Sequence, residues 1–136
     1  MTLTGRLAVI YEENAMKIVI DGFGGDNSPD EVLKGAALAV EKLGVDVAVT
    51  GEPDVLNSRM EALGIARKGI DIVEAHGVIT TEDNPRSILK ENAGTSMGAA
   101  FNMLARGEAD AAISAGSTAA IVIGGTMICK RLKGVK

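Results

Sequence analysis

The stretch Asp21-Gly-Phe-Gly-Gly-Asp-Asn-Ser-Pro29 decides the fold of this chain. It follows a short apolar run, residues 17–20, and precedes a helical pattern. Its three glycines allow positive φ angles and let the backbone come close to a ligand. Ser28 is predicted to cap the helix, with Pro29 as the first helical residue and Glu31 as the acid of a capping box. A strand, a glycine turn and a helix N-terminus in this order predict an anion-binding site.

The same stretch also has a plainer interpretation. No Gly-Lys-Ser/Thr follows it, so it is not a Walker loop. Asn27 stands where a dinucleotide-binding loop has its third glycine. A βα turn without any ligand therefore remains an alternative, because many α/β loops are rich in glycine for geometric reasons alone.

Composition narrows the class of protein. The length of 136 residues suits a single domain. Hydrophobic residues make up 46% of the chain but aromatic residues only 2%, which predicts an aliphatic core rich in alanine and glycine. A net charge of −4 argues against a nucleic-acid partner. Cys129 is the only cysteine, which excludes an internal disulfide and favours a reducing compartment. His76 is the only histidine, which makes a histidine-rich metal site or a Ser-His-Asp triad a poor hypothesis.

The N-terminal segment is predicted to lie outside the fold. The apolar run at residues 7–10 is too short for a secretory signal, and the first strand pattern begins just after Met16. We expect Met16 to be the natural start and residues 1–15 to be an extension, with an extra edge strand at residues 6–11 as the alternative. The uncharged run at residues 111–129 approaches the length of a membrane span. Its glycines and hydroxyl residues favour a buried βα unit instead.

Strands alternate with helices along residues 16–136, which predicts a parallel sheet covered by helices on both faces. The alternating pattern of residues 69–75 places that strand near an edge. Ligands of such sheets lie outside the carboxyl ends of the strands, where the turns at 22–28 and 114–118 fall. The predicted strands are 18–20, 45–50, 69–75 and 109–114, and the predicted helices are 29–43, 53–63, 85–91, 96–106 and 118–132.

Three ordered motifs in residues 16–136 resemble the N-terminal part of the PlsX family of bacterial phosphate acyltransferases. The family's Asp-x-Met-Gly-Gly-Asp-x-x-Pro is similar to residues 21–29, with Phe23 in place of Met. Its Ser-Ser-Met turn is similar to Thr95-Ser-Met97. Its Ser-Ala-Gly-Asn-Thr-Gly-Ala is similar to residues 114–120, with Ser117 and Ala119 as departures. Their order and spacing make the resemblance specific.

The resemblance implies a three-layer α/β/α sandwich with a mainly parallel sheet, of the isocitrate/isopropylmalate-dehydrogenase-like type shared with phosphotransacetylases. It covers only the first third of a family member, so the chain is expected to be truncated. The implied reaction moves a fatty acyl group from acyl carrier protein to inorganic phosphate for phospholipid synthesis, with no metal or other cofactor. A cytoplasmic homodimer with peripheral membrane contact is implied as well.

The resemblance also implies the residues of the site. Lys90 and Asp26 are the candidate catalytic residues. Lys90 follows Asp83-Asn-Pro85, which is similar to the family's Asp-x-Pro stretch, and Asn92 replaces a basic residue that is frequent there. The plainer alternatives are a solvated Lys90 and an Asp26 that only orients the glycine turn. The residues expected to bind phosphate or substrate are Gly24, Gly25, Asp26, Thr95, Ser96, Ser114, Gly116, Ser117 and Thr118.

Other functions stay open from the sequence. One is a phosphate acetyl- or butyryltransferase acting on CoA thioesters, and another is a nucleotide-binding module. A third is an inactive fragment, because a sheet that lacks its remaining strands exposes an unpaired edge. Weak or no activity is therefore expected of residues 1–136 alone. His76 is predicted to lie in a loop and Cys129 in the core.

Overall fold

The computed structural model describes residues 15–135, which form a four-stranded sheet with helices on both faces. The sheet order is β3-β2-β1-β4, and all neighbouring strands are parallel. This confirms the predicted α/β class, and it confirms that the alternating third strand lies at an edge. The strands are β1 (Lys17–Asp21), β2 (Asp46–Gly51), β3 (Ile70–Glu74) and β4 (Ala111–Ile113).

Helices connect the strands in the predicted order. Gly44 ends the first helix in the left-handed conformation. Asn84 caps the short 3₁₀ helix that begins at Pro85, by accepting a hydrogen bond from Arg86 N. Within residues 15–135 the α-helices are α1 (Asp30–Leu43), α2 (Pro53–Ala62), α3 (Ser96–Ala105) and α4 (Thr118–Ile123). A 3₁₀ helix (Pro85–Leu89) precedes α3, and a π-helical turn (Gly124–Ile128) continues α4.

The two faces of the sheet bury different side chains. Successive residues of a strand point to opposite faces. In β2, Val47 and Val49 accordingly pack with Leu33 and Leu56 of α1 and α2, whereas Ala48 packs on the other face against α3. Large aliphatic side chains therefore fill one interface, whereas alanines predominate in the other, beside Val19 and Met103.

A third cluster joins α3 to the C-terminal segment. Met97 and Phe101 of α3 pack there with Ala120 of α4 and Ile88 of the 3₁₀ helix. Cys129 is partly buried against this cluster, in agreement with its interpretation as a core residue, and burial raises the pKa of its thiol. The uncharged run at residues 111–129 is thus a βα unit, as predicted. No helix within residues 15–135 has the length and apolar character needed to cross a membrane.

The predicted capping box at the start of α1 is wrong. The helix begins at Asp30, and Pro29 occupies the capping position without a side-chain hydrogen bond. The Ser28 hydroxyl instead donates to Gly25 O at 2.9 Å, back across the glycine turn. Glu31 forms an ion pair with Lys34 one turn along the helix, at 2.9 Å. The polar side chains that could have capped α1 are therefore engaged elsewhere.

Several predicted boundaries also differ. The helix predicted at 118–132 ends with the π-helical turn at Ile128, and the one at 85–91 is a 3₁₀ helix. The fourth strand is three residues long, where 109–114 was predicted. The predictions for residues 1–14 lie outside the described part of the chain.

The N-terminus of α3 offers a direct test of capping. Thr95 Oγ1 accepts a hydrogen bond from Gly98 N at 3.3 Å and donates one to Asn92 O at 2.6 Å. Thr95→Ala is expected to lower the free energy of unfolding by about 1 kcal/mol, the usual effect of losing such a cap. Thr95→Ser should restore most of it in urea denaturation. Equal stability of the alanine and serine variants would contradict this role.

Candidate functional site

The glycine loop after β1 and the loop after β4 contact each other at the carboxyl edge of the sheet. β1 lies between β2 and β4, so the chain order reverses beside it. Crevices at such reversals are where open α/β sheets bind ligands. Gly24 is buried there, and a β-carbon on it would lie only 2.9 Å from Gly116 N. The predicted meeting of the loops 22–28 and 114–118 on one edge is therefore what the fold produces.

A buried carboxylate joins the two loops. Asp21, the last residue of β1, is 1% exposed. Its Oδ2 accepts a hydrogen bond from the Ser114 hydroxyl at 2.8 Å, and its Oδ1 accepts one from Phe23 N at 3.1 Å. Ser114 Oγ in turn accepts from Gly116 N at 3.1 Å. This network, which we call the Asp21–Ser114 bridge, holds the loops in register.

A small cavity of about 270 Å³ opens beside the bridge. Three segments line it: residues 23–26 after β1, residues 115–117 after β4, and residues 78–81 after β3. Hydroxyl groups come from Thr80, Thr81 and Ser117, and backbone amides come from the glycine loop. Among these described lining residues Asp26 carries the only charge, so a bound anion would rely on N–H and O–H donors there.

Five of the predicted site residues line this cavity, namely Gly24, Gly25, Asp26, Gly116 and Ser117. The Ser117 hydroxyl oxygen accepts from Ala120 N at 3.3 Å, which leaves its hydrogen available for another acceptor. Ser114 lies beside the cavity, with its hydroxyl hydrogen donated to Asp21. Thr118 is the exposed first residue of α4.

The remaining predicted residues lie elsewhere. Lys90 is exposed in a separate depression, together with Asn84 and Arg86. Thr95 is buried as the cap of α3. Ser96 is fully buried, and its carbonyl accepts the Thr50 hydroxyl at 2.6 Å. The structure thus does not place these three residues with the glycine loop.

Sequence reasoning missed Asp21 and the two threonines of the third wall. Asp21 ends an otherwise apolar buried strand, and an acid at that position was the signal that could have singled it out. Thr80 and Thr81 lie in a loop with no distinctive motif. They line the cavity because the loop between Ala75 and Asn84, which follows β3, passes beside it.

His76 anchors the loop that leads to the threonines. Its Nδ1 lies 2.9 Å from Glu52 Oε1 and its Nε2 lies 3.0 Å from Glu74 Oε1. Only the protonated ring can donate from both nitrogens. The hydrogen bond to Glu52, with the charges of Glu52 and Glu74, raises the pKa of His76 above its usual value.

This pKa shift predicts a small pH dependence of stability. A raised pKa in the folded state stabilises the fold fully below the unfolded-state value of about 6.5, and the gain is lost as pH rises through the folded pKa. We expect the melting temperature of wild type to exceed that of His76→Asn at low pH and to converge on it at high pH. Because the side chain is exposed, the difference should be small. A gap that is constant with pH would contradict the ion pair.

The sequence is similar to that of known proteins over most of its length. The sequence profile of a family described as "Fatty acid synthesis protein" matches residues 16–136. The chain is 39% identical over 120 residues to a Clostridioides difficile (strain 630) protein named "Phosphate acyltransferase". It is 36% identical over 121 residues to a protein of the same name from Clostridium acetobutylicum. Both matches cover 88% of this chain, but only 35% and 37% of those proteins.

A solved structure gives the same fold. The crystal structure of a phosphotransacetylase from Streptococcus pyogenes superposes with a TM-score of 0.63 and 19% sequence identity. The superposition covers 100% of this chain and 45% of that one. At this identity the likeness speaks for the fold alone, and it agrees with the fold predicted from the sequence. The chain spans about a third of the length of the curated relatives it matches.

Proposed function

The chain belongs to the PlsX family of fatty acid synthesis proteins, and from this premise we propose that it carries the phosphate site of a phosphate acyltransferase. The proposed reaction moves an acyl group from a thioester to inorganic phosphate. We propose acyl carrier protein as the thioester donor, because fatty acid synthesis is the role in the family's description. The homodimer, the cytoplasmic location and the peripheral membrane contact are likewise proposals.

One observation carries this proposal. The glycine loop and the loop after β4 enclose a small cavity at the carboxyl edge of the sheet, beside the strand where the order reverses. Small residues at 24, 25 and 116 let backbone N–H groups approach an anion, and the hydroxyl groups of Ser117 and Thr81 add donors. This set of donors suits a tetrahedral oxyanion such as phosphate.

The chemistry asked of these residues is mainly positioning. A phosphate oxygen attacks the thioester carbonyl carbon, and the new C–O bond forms through a tetrahedral oxyanion. The C–S bond then breaks, and the sulfur leaves as a thiolate that takes up a proton from solvent. Holding the two reactants in line supplies much of the rate, and N–H donors aimed at the developing oxyanion supply more. We propose that Gly25 and Ser117 hold the phosphate while Asp26 faces the open side of the cavity.

Binding of inorganic phosphate tests the proposal on residues 1–136. In an amide NMR titration we expect the resonances of Gly24, Gly25, Gly116 and Ser117 to shift, and sulfate to compete where chloride does not. Thr81→Val should weaken binding about fivefold through the loss of one hydrogen bond. Ser58→Ala, on the exposed face of α2, should leave binding unchanged. Phosphate shifts confined to other residues would overturn the proposed site.

A second assay distinguishes between the two candidate thioester donors, acyl carrier protein and CoA. Acyl phosphate is trapped as the hydroxamate after incubation of phosphate with either acyl carrier protein thioesters or short-chain CoA thioesters. We expect little product from residues 1–136 and a preference for the carrier-protein donor in a full-length relative. A preference for acetyl- or butyryl-CoA would favour the alternative substrate class. Robust product from residues 1–136 alone would contradict the expected weak activity of this chain.

A further inference from the structure

A second and larger cavity lies on the other side of the glycine loop. It has a volume of about 570 Å³, within the range of small-molecule sites. It extends along α1 from Glu31 to Ala39, above the ends of β1 and β4. Its lining is mainly apolar, and the side chains that provide it are Ile20, Val32, Ala39, Ile113 and Ala115.

The two cavities share one wall. Gly24, Gly25, Asp26 and Ala115 line both of them. The donor-rich cavity lies on one side of this wall and the apolar cavity on the other. A molecule that is polar at one end and hydrocarbon at the other could therefore bind with the boundary between its two parts at the glycine loop. An acyl thioester attacked by phosphate has this division between a reacting carbonyl and an apolar chain.

We propose that the apolar cavity holds the hydrocarbon chain of the acyl donor, with its thioester carbonyl at the glycine loop. This inference rests on the proposed function. Gly35 lines this apolar groove, and the space beside it is open, because a β-carbon there would have no heavy atom within 4 Å. Between Val32 and Ala39 the helix extends about 10 Å, which is room for a medium-length chain along its axis.

Negative charge at one end of the groove should favour a thioester over a free fatty acid. The carboxylates of Asp26 and Glu31 both line the cavity at the end nearest the glycine loop. Glu31 is paired with Lys34, so a free fatty acid would bring a second uncompensated negative charge beside Asp26, whereas a thioester is neutral. The site should therefore prefer a thioester to the fatty acid of the same length, and this preference should fade as salt screens the charges.

Titration with S-acyl N-acetylcysteamine thioesters of increasing chain length tests the proposal on residues 1–136. Affinity should rise about threefold to fourfold for each added methylene until the groove is full. The amide resonances of Val32, Ala39 and Ile113 should shift. Shifts that concentrate on the exposed apolar residues Val122 and Met127 instead would overturn it, and so would shifts produced by raising the protein concentration without any thioester.

Substitutions at Gly35 give the matched comparison. Gly35→Leu should fill the groove and weaken binding of long-chain thioesters at least tenfold, the loss of about two buried methylenes. Ala62→Leu, which places a leucine side chain at an exposed site on α2 outside this cavity, should have little effect. Unchanged long-chain binding by a folded Gly35→Leu variant would overturn the proposal.

Phosphate binding, measured in the same samples, separates the two claims. Phosphate shifts at Gly25 and Ser117 without any chain-length dependence would overturn the groove and leave the proposed function standing. Thioester binding in the groove without phosphate binding would overturn the proposed function and leave an acyl-binding site. Gly35→Leu should not alter phosphate affinity, because Gly35 does not line the smaller cavity.

Discussion

Alanine at Gly24 is expected to lower the free energy of unfolding by about 1–3 kcal/mol, the usual effect of forcing a methyl group into a packed site. Its β-carbon would lie 2.8 Å from Asp21 Oδ2 and 2.9 Å from both Gly116 N and Ser114 Oγ. These atoms cannot move aside cheaply, because they belong to the hydrogen-bonded Asp21–Ser114 bridge. The methyl group therefore has to push the two loops apart. Separation of the donors should weaken phosphate binding at least tenfold, since misplacement by about 1 Å costs that or more.

Urea denaturation and phosphate titration measure the two effects separately. Gly35→Ala is the matched control, because the same methyl group there meets only open space on an exposed helix face. It should raise the free energy of unfolding by about 0.5–1 kcal/mol, the usual difference between glycine and alanine inside a helix. Its phosphate affinity should equal that of wild type. A Gly24→Ala variant as stable as wild type would mean that the loops do not pack against each other in solution.

The meeting of the two loops could be predicted from the sequence because it follows from strand direction. In a parallel sheet every strand ends at the same edge, so two polar turns that each follow a strand must share that edge. The sequence did not reveal which strands are neighbours. β4 adds to the free side of β1, which brings residues 114–117 directly against residues 22–25.

Local motifs were less reliable where a side chain had two competing partners. Ser28 fits a capping signature, yet in the folded chain its hydroxyl bonds to Gly25 O within the turn. Lys90 follows a stretch that resembles the family's Asp-x-Pro motif, yet the 3₁₀ helix before it leaves the side chain in a different depression. Thr95 and Ser96 are polar, yet the start of α3 is packed under the loops. Thr95 is buried as the cap of the helix, and Ser96 is buried with its backbone carbonyl accepting the Thr50 hydroxyl. Tertiary packing decides such cases, and sequence spacing does not describe it.

Removal of the Asp21 carboxylate should also change the free energy of unfolding strongly. Two opposing contributions decide whether the change is a gain or a loss. A buried charge is costly to desolvate, so its loss could stabilise the fold. Each hydrogen bond to a charged group, however, contributes about 1.5–3 kcal/mol, and Asp21 receives two of them in the described structure. We expect the hydrogen bonds to dominate, so that Asp21→Ala lowers the free energy of unfolding by roughly 2–3 kcal/mol.

Asp21→Asn separates charge from shape. The asparagine oxygen can still accept from Phe23 N, and its amide can donate to Ser114 Oγ, which has a second lone pair. The serine hydroxyl hydrogen must then find another acceptor. We expect a loss of about 1 kcal/mol, smaller than for alanine, because most of the bridge survives. Equal losses for Asp21→Asn and Asp21→Ala would show that the charge itself, and not the geometry of acceptors, holds the loops.

A double-mutant cycle with Ser114→Ala measures the bridge itself. If the two side chains act as one unit, the second substitution should cost little once the first is made, and the coupling should be about 1.5–3 kcal/mol. Ser58→Ala in the Asp21→Ala background supplies the control, since residues on the exposed face of α2 share no partner with the bridge and should add independently. Phosphate affinity should follow the same non-additive pattern, because Asp21 lies outside the smaller cavity and acts on it through its hydrogen bonds with Ser114 and with Phe23 N. Strict additivity in both measurements would mean that packing around Gly24 and Ala115 holds the two loops together and that the carboxylate does not contribute.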